Sequence, residues 1–198
     1  MVCWPSLATD DFARLPPLDL CLVCVKEFDL SSALTALQPA LREHSAVLPL
    51  LNGVDVYSRV RTVIKKGVVL PACVYVGTHL ERPGKVFQKG GACRILFGPD
   101  PARPDFAPAE ILELFQRAGI KSEWTTDVQA EIWKKFIFIC AFGMVTAVHD
   151  RTLGEVLGDD VLKQEARRVM NEIATLAERS RVSLPADIAE VSLVKAKT

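Results

Sequence analysis

The sequence predicts an α/β chain: a partial parallel crossover sheet with antiparallel edge strands, followed by an all-helical C-terminal domain. Three observations carry this expectation. Short apolar runs at residues 19–25, 46–51 and 68–76 alternate with stretches of helical spacing, the order of a crossover sheet. Gly-bounded segments at 84–88 and 94–98 follow, short enough for hairpin or antiparallel edge strands. Beyond about residue 127 every apolar pattern is helical.

The elements follow in order. Asp19-Leu20-Cys21-Leu22-Val23-Cys24-Val25 lies between Pro16-Pro17 and Lys26-Glu27. It is apolar on both faces, as a buried parallel strand must be. Ser31 or Ser32 can cap the next helix, where Leu34, Leu37 and Leu41 fall at helical spacing. A second strand over 46–51 ends in Asn52-Gly53, and a helix with Val56, Val60 and Val63 on one face comes after it. A third strand over 68–76 completes the alternation. Pro108 opens a helix over 109–118 and Gly119 closes it. The remainder reads as helices over 130–148, 153–181 and from Pro185 onward. Two domains are expected, a sheet domain over 1–127 and a helical one over 128–198. No βαβ unit precedes the first strand, because residues 1–18 fall short of the ~30 that such a unit takes. One flank of that strand is expected to lie uncovered.

Composition narrows the function. The chain carries 24 basic and 24 acidic residues, so no field of one sign draws it to nucleic acid or an anionic membrane. The start, Met1-Val2-Cys3-Trp4-Pro5, has no basic n-region with an apolar run behind it, so no secretory signal is expected. The longest apolar run, 136–148, is shorter than the ~20 residues a bilayer requires. Cys3, Cys21, Cys24, Cys73, Cys93 and Cys140 do not resemble a disulfide framework in a chain of this length, and a reducing cytoplasm is the expected setting.

Several positions are candidates for chemistry. Lys135 stands at the mouth of the apolar run in Glu131-Ile132-Trp133-Lys134-Lys135-Phe136. An ammonium there either pairs with Glu131 on the helix surface or serves a reaction as proton donor. Asn52 ends a parallel strand, where ligands of open α/β sheets bind, and offers both a donor and an acceptor; a simple Asn-Gly turn is the other reading. Lys26 holds the equivalent strand end one unit earlier and is either a phosphate or nicotinamide contact or a solvated lysine. Cys21 and Cys24 have redox or zinc spacing, but residues three apart on a strand diverge, so core cysteines are expected. His44, His79 and His149 lack ligand spacing, and no metal site is expected. His79, after the third strand, either faces a ligand or is a hydrogen-bonded strand-end residue.

Taken together, Val25-Lys26, Leu50-Leu51-Asn52-Gly53-Val54, Gly77-Thr78-His79-Leu80-Glu81-Arg82-Pro83-Gly84, Phe97-Gly98-Pro99 and the Trp133-Lys134-Lys135 helix resemble the ketopantoate reductase (2-dehydropantoate 2-reductase) family. The resemblance runs from about residue 19 to about 190. It implies a Rossmann-type NADP-binding domain and a helical domain, and NADPH-dependent reduction of 2-dehydropantoate to pantoate on the way to pantothenate and coenzyme A. It implies Lys135 as catalytic lysine, Asn52 between cofactor and substrate, and Lys26 near the cofactor. The expected partners are the small 2-oxo acid and a second copy of the chain, with neither nucleic acid nor membrane. The departures are equally specific. No Gly-x-Gly-x-x-Gly turn occurs in the 198 residues, and the family's late serine and glutamate would lie beyond Thr198. Ile139 and Gly143 stand where many members carry substrate-contacting asparagines. These departures make the 198 residues alone an expected non-catalyst. They leave two alternatives beside 2-dehydropantoate reduction: a reductase of another small 2-oxo acid, and a non-catalytic remnant or dimerisation module.

Overall fold

The computed structural model describes residues 4–88 and 93–197. The chain is mixed α/β with parallel strands followed by a helical region. It divides into two compact units: one of residues up to Leu51 with Asp55–Thr126, the other of Asn52–Val54 with Asp127–Thr198.

The first unit is built on β1 (Leu18–Val23), β2 (Leu41–Pro49) and β3 (Val68–Val69), parallel and in that spatial order. The crossovers are the helices α1 (Leu30–Leu37) and α2 (Val56–Val63). Strand β2 shows why its sequence is a continuous apolar run. Val47 points into a cluster with Leu34, Leu37 and Val60, while Ala46 and Leu48 point into another with Phe97, Ile111 and Phe115. Both faces are covered, so no polar position survives from 46 to 49.

Several sequence expectations are corrected. The run 68–76 is two strands, because Pro71 has no N–H to continue the ladder. β3 ends at Val69, and β4 (Ala72–Tyr75) joins a second sheet with β7 (Arg94–Phe97) and β8 (Lys121–Trp124). Leu41 opens β2 instead of closing α1, since Pro39 sits in the short 3-10 turn Gln38–Ala40 between them. Asp29, not a serine, is the N-cap of α1, and Ser32 Oγ donates to its carbonyl at 2.9 Å. Strands β5 (Thr78–Arg82) and β6 (Lys85–Gln88) form an exposed antiparallel hairpin around Pro83-Gly84. Gly84 takes φ +79°, the positive angle that the third position of such a turn demands.

The sheet unit also contains α3 (Ala109–Arg117), entered from Pro108 and followed by Gly119 as its sequence requires. Among polar groups, Asp100 is completely buried beneath the end of β3. It accepts hydrogen bonds from Tyr57 Oη at 2.7 Å, Val69 N at 2.9 Å and Ala102 N at 2.9 Å, and it pairs with the Arg61 guanidinium.

The second unit is helical: α4 (Val128–His149), α5 (Leu153–Gly158), α6 (Asp160–Arg179) and α7 (Ile188–Lys195). The expected helix 153–181 is two helices, each with its own start. Thr152 and Glu155 form a capping box for α5, and Asp159 accepts from Val161 N and Leu162 N to open α6. By length and composition α4 could cross a bilayer, which its apolar run alone could not. Its buried seam of Trp133, Ile137, Ala141 and Val145 instead packs with Ala166, Met170 and Ile173 of α6 as the core of this unit.

Candidate functional site

Lys135 lies roughly two turns into α4, beside the buried seam and not on it. Its neighbour Trp133 is buried and meets Phe136 edge-on at 5.9 Å, which holds this turn of the helix in place. The half-buried Lys135 donates from Nζ to Asn52 Oδ1 at 2.6 Å. Asn52 comes three residues after the end of β2, within the short segment Asn52–Val54 that groups with the helical unit. Val54 is packed against the helical core, so the segment is anchored by hydrophobic burial two residues from Asn52.

The electrostatics of this pair are specific. Glu131 directs its carboxylate to Lys134 at 2.8 Å, an i,i+3 ion pair, and Asn52 receives the Lys135 proton. The Asn52 amide, itself neutral, orients the ammonium through a hydrogen bond and adds no charge of its own. With Oδ1 engaged, the Asn52 amide nitrogen still has donors to give. The pair therefore brings an ammonium and an amide, both N–H donors, to one place, and groups of this kind polarise a carbonyl and deliver a proton to it.

Lys26 belongs to the sheet unit. It is exposed and precedes the 3-10 turn Glu27–Asp29 just past β1, its carbonyl accepting from Asp29 N at 3.0 Å. Leu50 N donates to Val23 O at 2.9 Å, so β1 and β2 end at the same level. The structure thus joins Asn52 to Lys135 and places Lys26 at its own strand end.

The other candidates have local partners. His79 stacks on Phe87 across the hairpin, with centroids 5.3 Å apart. His44 lies 3.4 Å from Asp19, and His149 lies 2.9 Å from Glu165. The expectation of core cysteines is corrected for Cys24, which is exposed one residue beyond β1. Cys21 is half-buried, and burial, helped by the neighbouring Cys24, pushes its thiol up to about 11. At neutral pH it is a thiol and a poor nucleophile. Cys3 lies outside the described residues. Among the described residues no group of three His, Cys, Asp or Glu side chains could hold a metal ion.

The family profile described as "Ketopantoate reductase PanE/ApbA" matches residues 1–101, and "Ketopantoate reductase PanE/ApbA C terminal" matches residues 127–198. The uncharacterised oxidoreductase YkpB of Bacillus subtilis is 25% identical over 85% of the chain and 55% of its own length. The crystal structure of a PanE/ApbA family ketopantoate reductase from Ralstonia eutropha superposes with a TM-score of 0.82 at 30% identity, over 96% of this chain and 61% of that one. The 2-dehydropantoate 2-reductase of Porphyromonas gingivalis superposes with a TM-score of 0.87 at 27% identity, over 100% of this chain and 68% of that one. The chain therefore spans little more than half the length of the Bacillus relative. By its matched profiles and its fold, the chain belongs to the ketopantoate reductase family.

Proposed function

We propose that the protein reduces the ketone of a small 2-oxo acid with NADPH, as a 2-dehydropantoate 2-reductase does, and that Lys135 is the proton donor. The observation that carries this reading is the 2.6 Å hydrogen bond from Lys135 Nζ to Asn52 Oδ1. It fixes the direction of one N–H of a half-buried ammonium.

The residues present fit the nicotinamide end of a dinucleotide. β1 and β2 are parallel neighbours ending together, and open α/β sheets take their ligands beyond such ends. Asn52 would meet the cofactor, which when bound supplies the hydride, and Lys26 is a separate proposed cofactor contact at the end of β1. The 198 residues contain no Gly-x-Gly-x-x-Gly turn to cradle a pyrophosphate. The chain's own contribution is then positional and protonic. Asn52 holds the Lys135 ammonium and donates its free amide N–H toward the substrate. Lys135 hydrogen-bonds the carbonyl oxygen, polarises the C=O bond, and passes its proton to that oxygen as the carbon gains hydride, giving a 2-hydroxy acid.

The test is NADPH oxidation by the full-length protein across a panel of 2-oxo acids, compared with Lys135→Ala. Loss of the general acid is expected to lower kcat by about 10² to 10⁴. Equal rates for the two proteins would remove Lys135 from the mechanism.

A further inference from the structure

We infer that the group attached to the substrate's keto carbon is a hydrocarbon, branched alkyl or aryl, and that Ile139 selects it. The inference rests on the reductase reading above and narrows its substrate.

Positions four apart share a helix face, so the line that starts at Lys135 continues through Ile139 to Gly143. A substrate whose carbonyl oxygen meets Lys135 Nζ has this line as the floor under its substituent. Ile139 is half-buried and stands outside the helical core, on which its neighbours Phe136, Phe138 and Cys140 lean. Its hydrocarbon is therefore available to something other than that core. Gly143 is exposed, and a Cβ built on it would meet nothing within 4 Å, so the floor is bare and roomy at that point.

Neither residue has a side-chain donor or acceptor. The first hydroxyl in this direction, on Thr146, is turned back into its own helix, donating to Phe142 O at 2.7 Å with Gly143 O at 3.2 Å. A substituent bearing a hydroxyl would find no partner along this line, whereas a hydrocarbon one would bury itself against the Ile139 side chain. An apolar floor discriminates modestly against an added hydroxyl, by a factor of roughly 100 in the best case.

Two substrates isolate the effect. 2-Dehydropantoate and 3,3-dimethyl-2-oxobutanoate differ by one hydroxyl. Initial rates of NADPH oxidation by the full-length protein, at saturating NADPH, should favour 3,3-dimethyl-2-oxobutanoate in kcat/KM by about tenfold or more. Ile139→Asn should close or invert that ratio, and Ile139→Thr, which matches valine in shape but carries a hydroxyl, should move it the same way by less. Ile139→Val keeps the hydrocarbon floor and should leave the ratio where it was. A wild-type preference for 2-dehydropantoate, or a ratio that neither the Asn nor the Thr variant moves, would overturn the inference. Turnover of no 2-oxo acid at all would overturn the reductase reading itself, and this inference with it.

Discussion

Asp100 shows how one side chain is held charged inside the sheet unit. Burial alone pushes its carboxyl up, but donors from Tyr57, Val69, Arg61 and Ala102 outweigh it and hold the group below the usual carboxylate range. A depressed folded value means that its contribution is fully present above the unfolded value of ~3.9 and is lost as pH falls through the folded one. Asp100→Ala leaves the Arg61 cation, itself only 15% exposed, without its buried partner. Chemical denaturation at neutral pH should show a loss of about 3–5 kcal/mol. Asp100→Asn should flatten the stability profile below pH ~4, where the wild type declines. Nothing in the residue pattern announces this hub, because a lone aspartate after Gly98-Pro99 reads as a turn. Asn52 and Lys135 could each be named from the sequence, one as a strand end and the other as the charged rim of an apolar helix. Their contact joins positions 83 apart, which only the fold supplies. Replacing Asn52 with Ala should lower kcat by up to about 100-fold, since Lys135 loses the acceptor that aims it.

Strand β1 meets β2 with a break in register at the scale of the element: Leu18 pairs with Leu41, while Leu20 already pairs with Ala46. The slack is gathered by Ser45, fully buried, whose Oγ accepts from Arg42 N at 2.8 Å and donates to Leu18 O. Ser45→Ala strands both backbone groups and is expected to cost about 1–3 kcal/mol, read as a shift in the denaturation midpoint. Gly67 closes the same corner at φ +69°, where a Cβ would stand 2.3 Å from Ser45 O. Gly67→Ala therefore forces the bulge itself to move and should be the more damaging of the two. These elements also divide what periodicity reveals from what it hides. α3 was legible from its proline start and glycine stop, and α2 from its apolar face. The break at Pro71 and the separate starts of α5 and α6 were not, since each turns on one backbone or side-chain hydrogen bond inside an otherwise continuous pattern. β8 escaped notice because four residues, Lys121–Trp124, alternate too briefly to distinguish from a loop.

For the molecule as a whole, the exposed edge of β1 is the feature with the widest reach. Among the described residues, β1 is paired on one side alone. Leu20 and Leu22 lie along it, and Leu22 is 41% exposed. An apolar strand with an open edge invites other strands to add, and natural sheets discourage this with a charge on the edge. Asp19 is that charge, 93% exposed and only loosely associated with His44. Removing it with Asp19→Val should leave the fold intact and raise light scattering steeply with protein concentration; unchanged scattering would show that another group guards the edge. Its carboxylate also acts as a filter. A bare hydrocarbon strand arriving there must strip water from Asp19 with no counter-ion in return, whereas a visitor with lysine or arginine in register is drawn in. A charge that discourages an apolar strand thus also gives the edge a preference for cationic ones.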